Sequence, residues 1–250
     1  MRIKVINGNT FQAMTDNIGE VARAVAAPGT QIVAATPSAG PISIESFYDE
    51  YLAIPYILEE IIKDEADFDA FVIACWGDPG IEAAREITTK PVVGIAEASM
   101  YVANMLGAKF GVVTVLERAH NLIEHTVSKV GLTPRCASIQ CTSLSVLDTE
   151  ELRDHACLVL EGAGRKAIAE GAEALALGCA GMSGLDTMLE ERLGVPVIDS
   201  VAAAVKMAEA LVALGKRTSK VKTFQLPEPK QIKGYPEHMQ SSTFHGQVVA

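Results

Sequence analysis

Two cysteines carry the chemistry this chain can be expected to do. Phe71-Val72-Ile73-Ala74 reads as a buried strand that runs into Cys75 and then into the turn Trp76-Gly77-Asp78-Pro79-Gly80. Leu175-Ala176-Leu177 runs in the same way into Gly178-Cys179-Ala180-Gly181-Met182-Ser183-Gly184. A thiol at a strand end, beside a glycine-rich turn and the start of a helix, sits where backbone N–H groups can stabilise a thiolate. One such cysteine is most often a small buried hydrophobe. Two of them in matching turns weaken that reading.

The match extends past the turns. Cys75 is followed by Gly77, Gly80, a helix, Pro91-Val92-Val93 and a helix ending Met105-Leu106-Gly107. Cys179 is followed by Gly181, Gly184, a helix, Pro196-Val197-Ile198 and a helix ending Ala213-Leu214-Gly215. We read this as an internal duplication. Strand Ile3-Lys4-Val5-Ile6 with Asn9-Thr10, and strand Phe110 to Val115 through Thr114, would open the two copies.

The positioning elements alternate between strand and helix. After the first strand come a helix around Met14 to Ala26, strand 31–35, the irregular loop Thr36 to Ile44 and a helix over 45–65. After the Cys75 strand come helix 81–88, strand 91–95 and a helix over 97–106. Then follow helix 118–130, strand 136–140, a helix over 149–170 and the Cys179 strand. Strands apolar on both faces and joined by helices predict α/β lobes with parallel sheets. Duplication predicts two pseudo-symmetric lobes with the site in the cleft between them, at the carboxyl ends of the strands. The expected division is 1–95 plus 197–222 for the first lobe and 96–196 for the second. Residues 223–250, with Pro227, Pro229 and Pro236, read as a C-terminal arm or a disordered tail.

Two thiols facing one carbon suit racemisation or epimerisation. One thiolate removes the proton and the other thiol delivers one to the opposite face, a task matched to a thiol's reference pKa of about 8.5. Turn N–H groups could also stabilise an enolate oxygen. The glycine spacings fit neither a nucleotide fingerprint nor a phosphate loop, so the chemistry is expected to need no cofactor. Metal-ligand spacing is absent as well: Cys136 and Cys141 lack a histidine pair. Cys136, Cys141 and Cys157 read as structural. Trp76 reads as a core filler or as an aromatic wall of the cleft, and Asn7, Asn9 and Thr10 as turn formers or ligand binders. The histidines suggest no role, and the runs Glu59-Glu60 and Glu190-Glu191-Arg192 read as solvated helix faces.

The 250 residues are 49% hydrophobic and 21% charged, with a net charge of −10. That suits a globular protein and argues against nucleic acid or an anionic membrane as partner. No apolar run reaches the roughly 18 residues of a membrane-spanning helix. The first residues read as a strand rather than a signal peptide, and the five cysteines are expected as reduced thiols in the cytoplasm.

The chain resembles the Asp/Glu/hydantoin racemase superfamily, and within it the hydantoin and allantoin racemases. The resemblance rests on Val5-Ile6-Asn7-Gly8-Asn9-Thr10, Ser43-Ile44-Glu45 with Asp49-Glu50, and Ala74-Cys75-Trp76-Gly77-Asp78-Pro79-Gly80. It continues through Gly94 to Ala98, Leu177-Gly178-Cys179-Ala180-Gly181-Met182, Val195 to Asp199 and Ala203 to Met207. It implies two pseudo-symmetric lobes, Cys75 and Cys179 as the two bases, no cofactor, a cyclic ureide as small-molecule substrate, and a homo-oligomer. Carried over by position, the ligand-facing groups are Asn9, Ile42, Ser43, Ile44, Trp76, Gly77, Thr114, Ala180 and Gly181. A hydantoin ring, with two carbonyls and two N–H groups, suits backbone partners better than a charged clamp.

The chain departs from the family pattern at three places. Gly8 stands where proline is common, Ser46-Phe47 where Gly-His is common, and Trp76 where phenylalanine is usual. An aromatic wall of Phe47, Tyr48 and Trp76 would favour a larger or apolar 5-substituent over the ureido group of allantoin. Two other readings stay open: an amino-acid racemase, decarboxylase or isomerase of the same superfamily, and a non-enzymatic two-lobed ligand-binding module. A cleft with cationic or hydroxyl groups for a carboxylate would favour the first of these, and Gly77-Asp78 in place of Asn-Thr speaks against it.

Overall fold

The computed structural model describes residues 1–247. β1 (Arg2–Asn7) pairs in parallel with β2 (Gln31–Ala35) on one side and β3 (Ala70–Ala74) on the other, and β4 (Val92–Gly94) extends the sheet beyond β3. The helices of this half are α1 (Gln12–Val25), α2 (Phe47–Lys63), α3 (Ile81–Ile87) and α4 (Ile95–Leu106).

The second half repeats the plan. β5 (Phe110–Thr114) lies between β6 (Cys136–Cys141) and β7 (Ala174–Leu177), and β8 (Val197–Ile198) extends the sheet beyond β7, all parallel. Its helices are α5 (His120–Lys129), α6 (Asp148–Glu151), α7 (Arg153–Ala169), α8 (Asp186–Leu193) and α9 (Ser200–Ala213). The strand orders are β2-β1-β3-β4 and β6-β5-β7-β8, the same order twice. The expected two-lobed, pseudo-symmetric α/β architecture is therefore present.

α4 and α9 cross between the lobes. α4 follows β4 yet packs on β7 and β8, while α9 follows β8 and packs on β3 and β4. The two helices also pack on each other, so the lobes share one apolar core running from Ile3, Val5, Val72 and Ala74 to Val112, Ala176 and Val205. The return crossing starts after β8. Val197 and Ile198 pair with β7, so they belong to the second sheet rather than to the first lobe.

The opposite face of the first sheet, Ile6, Phe71 and Ile73, packs on Ile57 and Ile61 of α2 and Ile81 of α3. Lys4 points to this side and is buried. Its Nζ binds the Glu60 carboxylate at 2.8 Å and the Glu60 carbonyl at 2.7 Å. Glu60 is thus buried and paired, not part of a solvated face, because a buried ammonium requires a partner.

Ser46 caps α2, so the helix begins at Phe47 rather than at Glu45. The Asp49 N–H donates to Ser46 Oγ at 3.3 Å, and the Asp49 carboxylate accepts from the Glu45 N–H at 3.1 Å. The helix expected over 149–170 is broken at Leu152 into α6 and α7, which have different packing partners. α7 lies on β5 and β6, and α6 on the turn after Cys179.

Residues 223–247 fold back over the first lobe and end in α10 (Ser241–Gln247). Phe244 is buried in the α2 core, Leu226 and Met239 pack against it, and His238 Nε2 lies 2.9 Å from a Glu59 carboxylate oxygen. The described part of the tail is therefore an ordered arm. Its residues 248–250 lie outside the described residues.

Candidate active site

Both cysteines stand just beyond the carboxyl end of a central strand, Cys75 one residue past β3 and Cys179 two past β7. Past β3 the chain turns on a hydrogen bond from the Asp78 N–H to the Cys75 carbonyl, 3.0 Å, with Asp78 at φ +49°. The Asp78 carboxylate accepts the Ala96 and Glu97 N–H groups, both at 2.9 Å, and so caps α4. Gly94 makes room for it, since a Cβ there would lie 2.1 Å from Asp78 Cγ. Helix α3 begins only at Ile81, behind a left-handed Gly80. The donor that reaches the Cys75 sulfur is the Gly77 N–H of the turn, not a helix N-terminus.

The second turn has the same build. The Met182 N–H donates to the Cys179 carbonyl at 3.1 Å, and Gly184 takes φ +84° where Gly80 takes +69°. Thr114 Oγ1 donates to the Gly178 carbonyl at 2.8 Å, tying β5 to the residue before Cys179. Asp199 caps α9 by accepting the Ala202 N–H at 2.8 Å, and it also takes the Gly184 N–H at 2.8 Å.

Cys75 and Cys179 line one cleft between the lobes, about 640 Å³ of empty space with its open mouth included. Of the expected ligand-facing residues, Asn9, Ile44, Trp76, Gly77, Thr114 and Ala180 line it. Ile42, Ser43 and Gly181 do not. Ile42 is 58% exposed at the surface, Ser43 Oγ is turned to the Glu45 carboxylate at 2.9 Å, and Gly181 is buried under Thr149. Of the expected aromatic wall, Trp76 lines the cleft. Phe47 and Tyr48 are exposed outside the cleft, and the Trp76 indole N–H is buried and donates to Ser99 Oγ at 3.1 Å. The second lobe adds apolar lining from Leu116, Leu122, Ile123 and Val146.

Asn9 is well placed to meet a ligand. Its Oδ1 is taken by the Asn7 amide at 2.8 Å and the Phe11 N–H at 3.0 Å, while among the described residues Nδ2 meets the Met14 thioether at 3.3 Å. Residue-type reasoning missed Glu50. It lines the cleft, and a Cβ on Gly77 would lie 3.3 Å from its Oε1. A signal was available: Glu50 continues the stripe of Ile54, Ile57 and Ile61, a carboxylate on the inward face of its helix. The described lining holds no Lys, Arg or His, and among the described residues no three His, Cys, Asp or Glu cluster as metal ligands.

Residues 3–208 match the family model of Asp/Glu/Hydantoin racemase. The chain belongs to the Asp/Glu/hydantoin racemase family. It is 53% identical to a hydantoin racemase of Pseudomonas sp. (strain NS671) over 240 residues, which cover 95% of this chain and 96% of that one. Among solved structures it is similar to the allantoin racemase from Klebsiella pneumoniae, at 46% identity and a TM-score of 0.90, covering 94% of this chain and 96% of that one. The allantoin racemase from Pseudomonas fluorescens superposes with a TM-score of 0.91 at 42% identity, covering 94% and 100%. The protein is accordingly an isomerase of the racemase type.

In this racemase the cleft electrostatics are uneven. Cys75 is half-buried and its thiol is pushed well above the usual range, first by burial and then by the negative charges of Glu50 and Cys179, with the Gly77 N–H acting in the opposite direction. The Glu50 carboxyl is itself raised by burial, opposed by Lys129 and reinforced by Glu82. Lys129 and Glu82 form an ion pair of 2.7 Å next to it. Burial pushes Asp78 up to about 7, with Glu97 adding to the shift and its two helix N–H donors opposing it. None of the five cysteines is in a disulfide.

Proposed function

We propose that the enzyme racemises 5-substituted hydantoins, allantoin among them, by passing a proton between Cys75 and Cys179 across the ring C5. The observation that carries this reading is the placement of two half-buried thiols in one cleft, at the same position of two repeated lobes. The C5–H bond breaks as one thiolate takes the proton, and the electron pair passes to the neighbouring carbonyl as an enolate. The other thiol then protonates C5 from the opposite face, and the two sulfurs have exchanged protonation states. No bond to carbon remains on the protein.

The ring needs partners for carbonyls and N–H groups. The Gly77 N–H, the backbone beside Ala180 and the Asn9 amide supply such partners around the cleft. The described lining holds no cation, and the Thr114 hydroxyl is turned to the Gly178 carbonyl; both favour a neutral ring over an amino-acid carboxylate, which would need a cationic or hydroxyl clamp. The wall of Leu116, Leu122, Ile123 and Val146 supports an apolar 5-substituent over a ureido group. Thr114, Trp76 and Ile44 bound the same space, while Ile42, Ser43 and Gly181 act at most from behind it.

Solvent deuterium incorporation and polarimetry on single-enantiomer hydantoins and allantoin test the proposal. Wild type is expected to racemise at least one of them, with exchange of the C5 hydrogen, and Cys75→Ala and Cys179→Ala are each expected to abolish it. Wild-type rates in either variant would sink the two-base mechanism. A preference for allantoin over an apolar 5-alkyl hydantoin would sink the substrate assignment.

A further inference from the structure

A cyclic ureide brings two N–H donors into the cleft, and each needs an acceptor once water has left. Four of the polar side chains on the described lining are already tied within the protein. Asn9 Oδ1 takes the Asn7 amide and the Phe11 N–H, and Asn7 Oδ1 takes the Asn9 N–H at 3.2 Å. Thr114 Oγ1 is turned to the Gly178 carbonyl, and the Glu45 carboxylate takes the Ser43 hydroxyl at 2.9 Å.

Glu50 differs from these. Its carboxylate lines the same cleft, and neither oxygen accepts a hydrogen bond from a described residue. The charges acting on it are Lys129 of α5 and Glu82 of α3, and these two already pair with each other at 2.7 Å. Its backbone is fixed by the first turn of α2: the Glu50 N–H donates to the Ser46 carbonyl at 3.0 Å, beside the cap formed by Ser46 and Asp49. A Cβ on Gly77 would meet Glu50 Oε1 at 3.3 Å and a Leu122 methyl group at 3.4 Å. Carboxylate and apolar wall therefore converge on the turn that carries Cys75. A hydrogen bond to a charged acceptor is about twice as strong as a neutral one, and an apolar neighbour strengthens it further.

We propose that Glu50 is a substrate-binding residue of this cleft: its carboxylate accepts the N1–H of the ureide ring, the N–H bonded to C5 itself. With C5 held at the thiols, N1–H is the ring donor on their side, whereas N3–H lies across the ring between the two carbonyls. The acceptor thus selects rings that carry an N–H next to the reacting carbon. The same negative charge repels a substrate carboxylate, which sets the neutral ring apart from a free amino acid. This rests on the hydantoin reading proposed above.

Calorimetric titration of the full chain tests it with two ligands. One is racemic 5-isobutylhydantoin, which turnover leaves unchanged. The other is racemic 3-isobutylsuccinimide, in which a methylene replaces N1–H while the N–H between the carbonyls is kept. Wild type is expected to bind the hydantoin about tenfold or more tighter than the succinimide. Glu50→Leu, which removes the acceptor, should weaken the hydantoin by about tenfold or more and the succinimide by less than about threefold. Glu50→Gln, which keeps an acceptor oxygen and loses the charge, should retain part of the preference for the hydantoin. The proposal is overturned if wild type binds the two rings alike, or if Glu50→Leu weakens both by the same factor or neither. Those outcomes leave the functional reading standing, provided that wild type binds the hydantoin and exchanges its C5 hydrogen. A wild type that binds neither ring and exchanges nothing would end both.

Discussion

Gly8 faces Cys75 so closely that a methyl group on its α-carbon would stand 2.6 Å from the cysteine Cβ and 3.2 Å from its sulfur. The end of β1 thus forms the floor against which the thiol rests. Gly8→Ala should push Cys75 off its position, lowering kcat by more than tenfold with a smaller change in KM. Overpacking of this kind should also cost about 1–3 kcal/mol of stability. Steady-state kinetics and urea unfolding read the two effects, and an unchanged kcat would mean that Cys75 does not need this seat.

The thiol pair should give a bell-shaped pH profile. The two-base mechanism proposed above needs one sulfur charged and the other protonated, so the rate rises with the first ionisation of the pair and falls with the second. Burial, Glu50 and the charge on Cys179 all oppose a thiolate at Cys75. The falling limb should therefore lie above the ordinary thiol value of about 8.5. A kcat/KM profile that declines below pH 8 would contradict this.

Asp78 should make the fold less stable as pH rises. Its carboxyl goes from 3.8 in the unfolded chain to about 7 in the fold. The folded state therefore binds that proton more tightly, and stability falls between these values and levels off above them. Asp78→Asn suits the positive φ and removes the titration. The stability difference, wild type minus variant, should shrink from pH 5 to pH 7.5 by a few kcal/mol at most. Urea unfolding at the two pH values measures it, and a constant difference would show that Asp78 does not titrate in the fold.

Trp76 should matter more to the fold than to the substrate. Its indole N–H donates to Ser99, whose own hydroxyl donates to the Ala96 carbonyl at 3.0 Å. Trp76→Phe restores the residue usual in the family and strands Ser99 without its donor. A loss of about 0.5–1.5 kcal/mol in stability is expected, with kcat/KM changed less than threefold. A large shift in preference among 5-substituents would instead make Trp76 part of the substrate wall.

Much of the architecture could be read from the chain alone, because its signals are local. Apolar runs such as Phe71 to Ala74 and Phe110 to Thr114, buried on both faces, announce parallel strands. The repeated spacing from cysteine to proline, Cys75 to Pro91 and Cys179 to Pro196, announces the duplication, and with it the family and the paired thiols. The helix break at Leu152, the burial of Glu60 and the return of Phe244 to the α2 core left no such mark. Each depends on which surface a segment finds once the chain has folded.

The cleft shows the same division. Cys75 and Cys179, with Asn9, Trp76, Gly77 and Thr114, are named by residue type, turn and repeat. The apolar wall of Leu116, Leu122, Ile123 and Val146 and the carboxylate of Glu50 come together from α2, α5 and two loops that are far apart in sequence. Their meeting depends on how the lobes pack through α4 and α9, which period and propensity do not encode. The sequence by itself determined that two thiols occupy the same place in the two halves of one repeated fold. Only the tertiary structure decided that Glu50 and the apolar wall of α5 join them in one cleft, because that meeting exists only between residues brought together by packing.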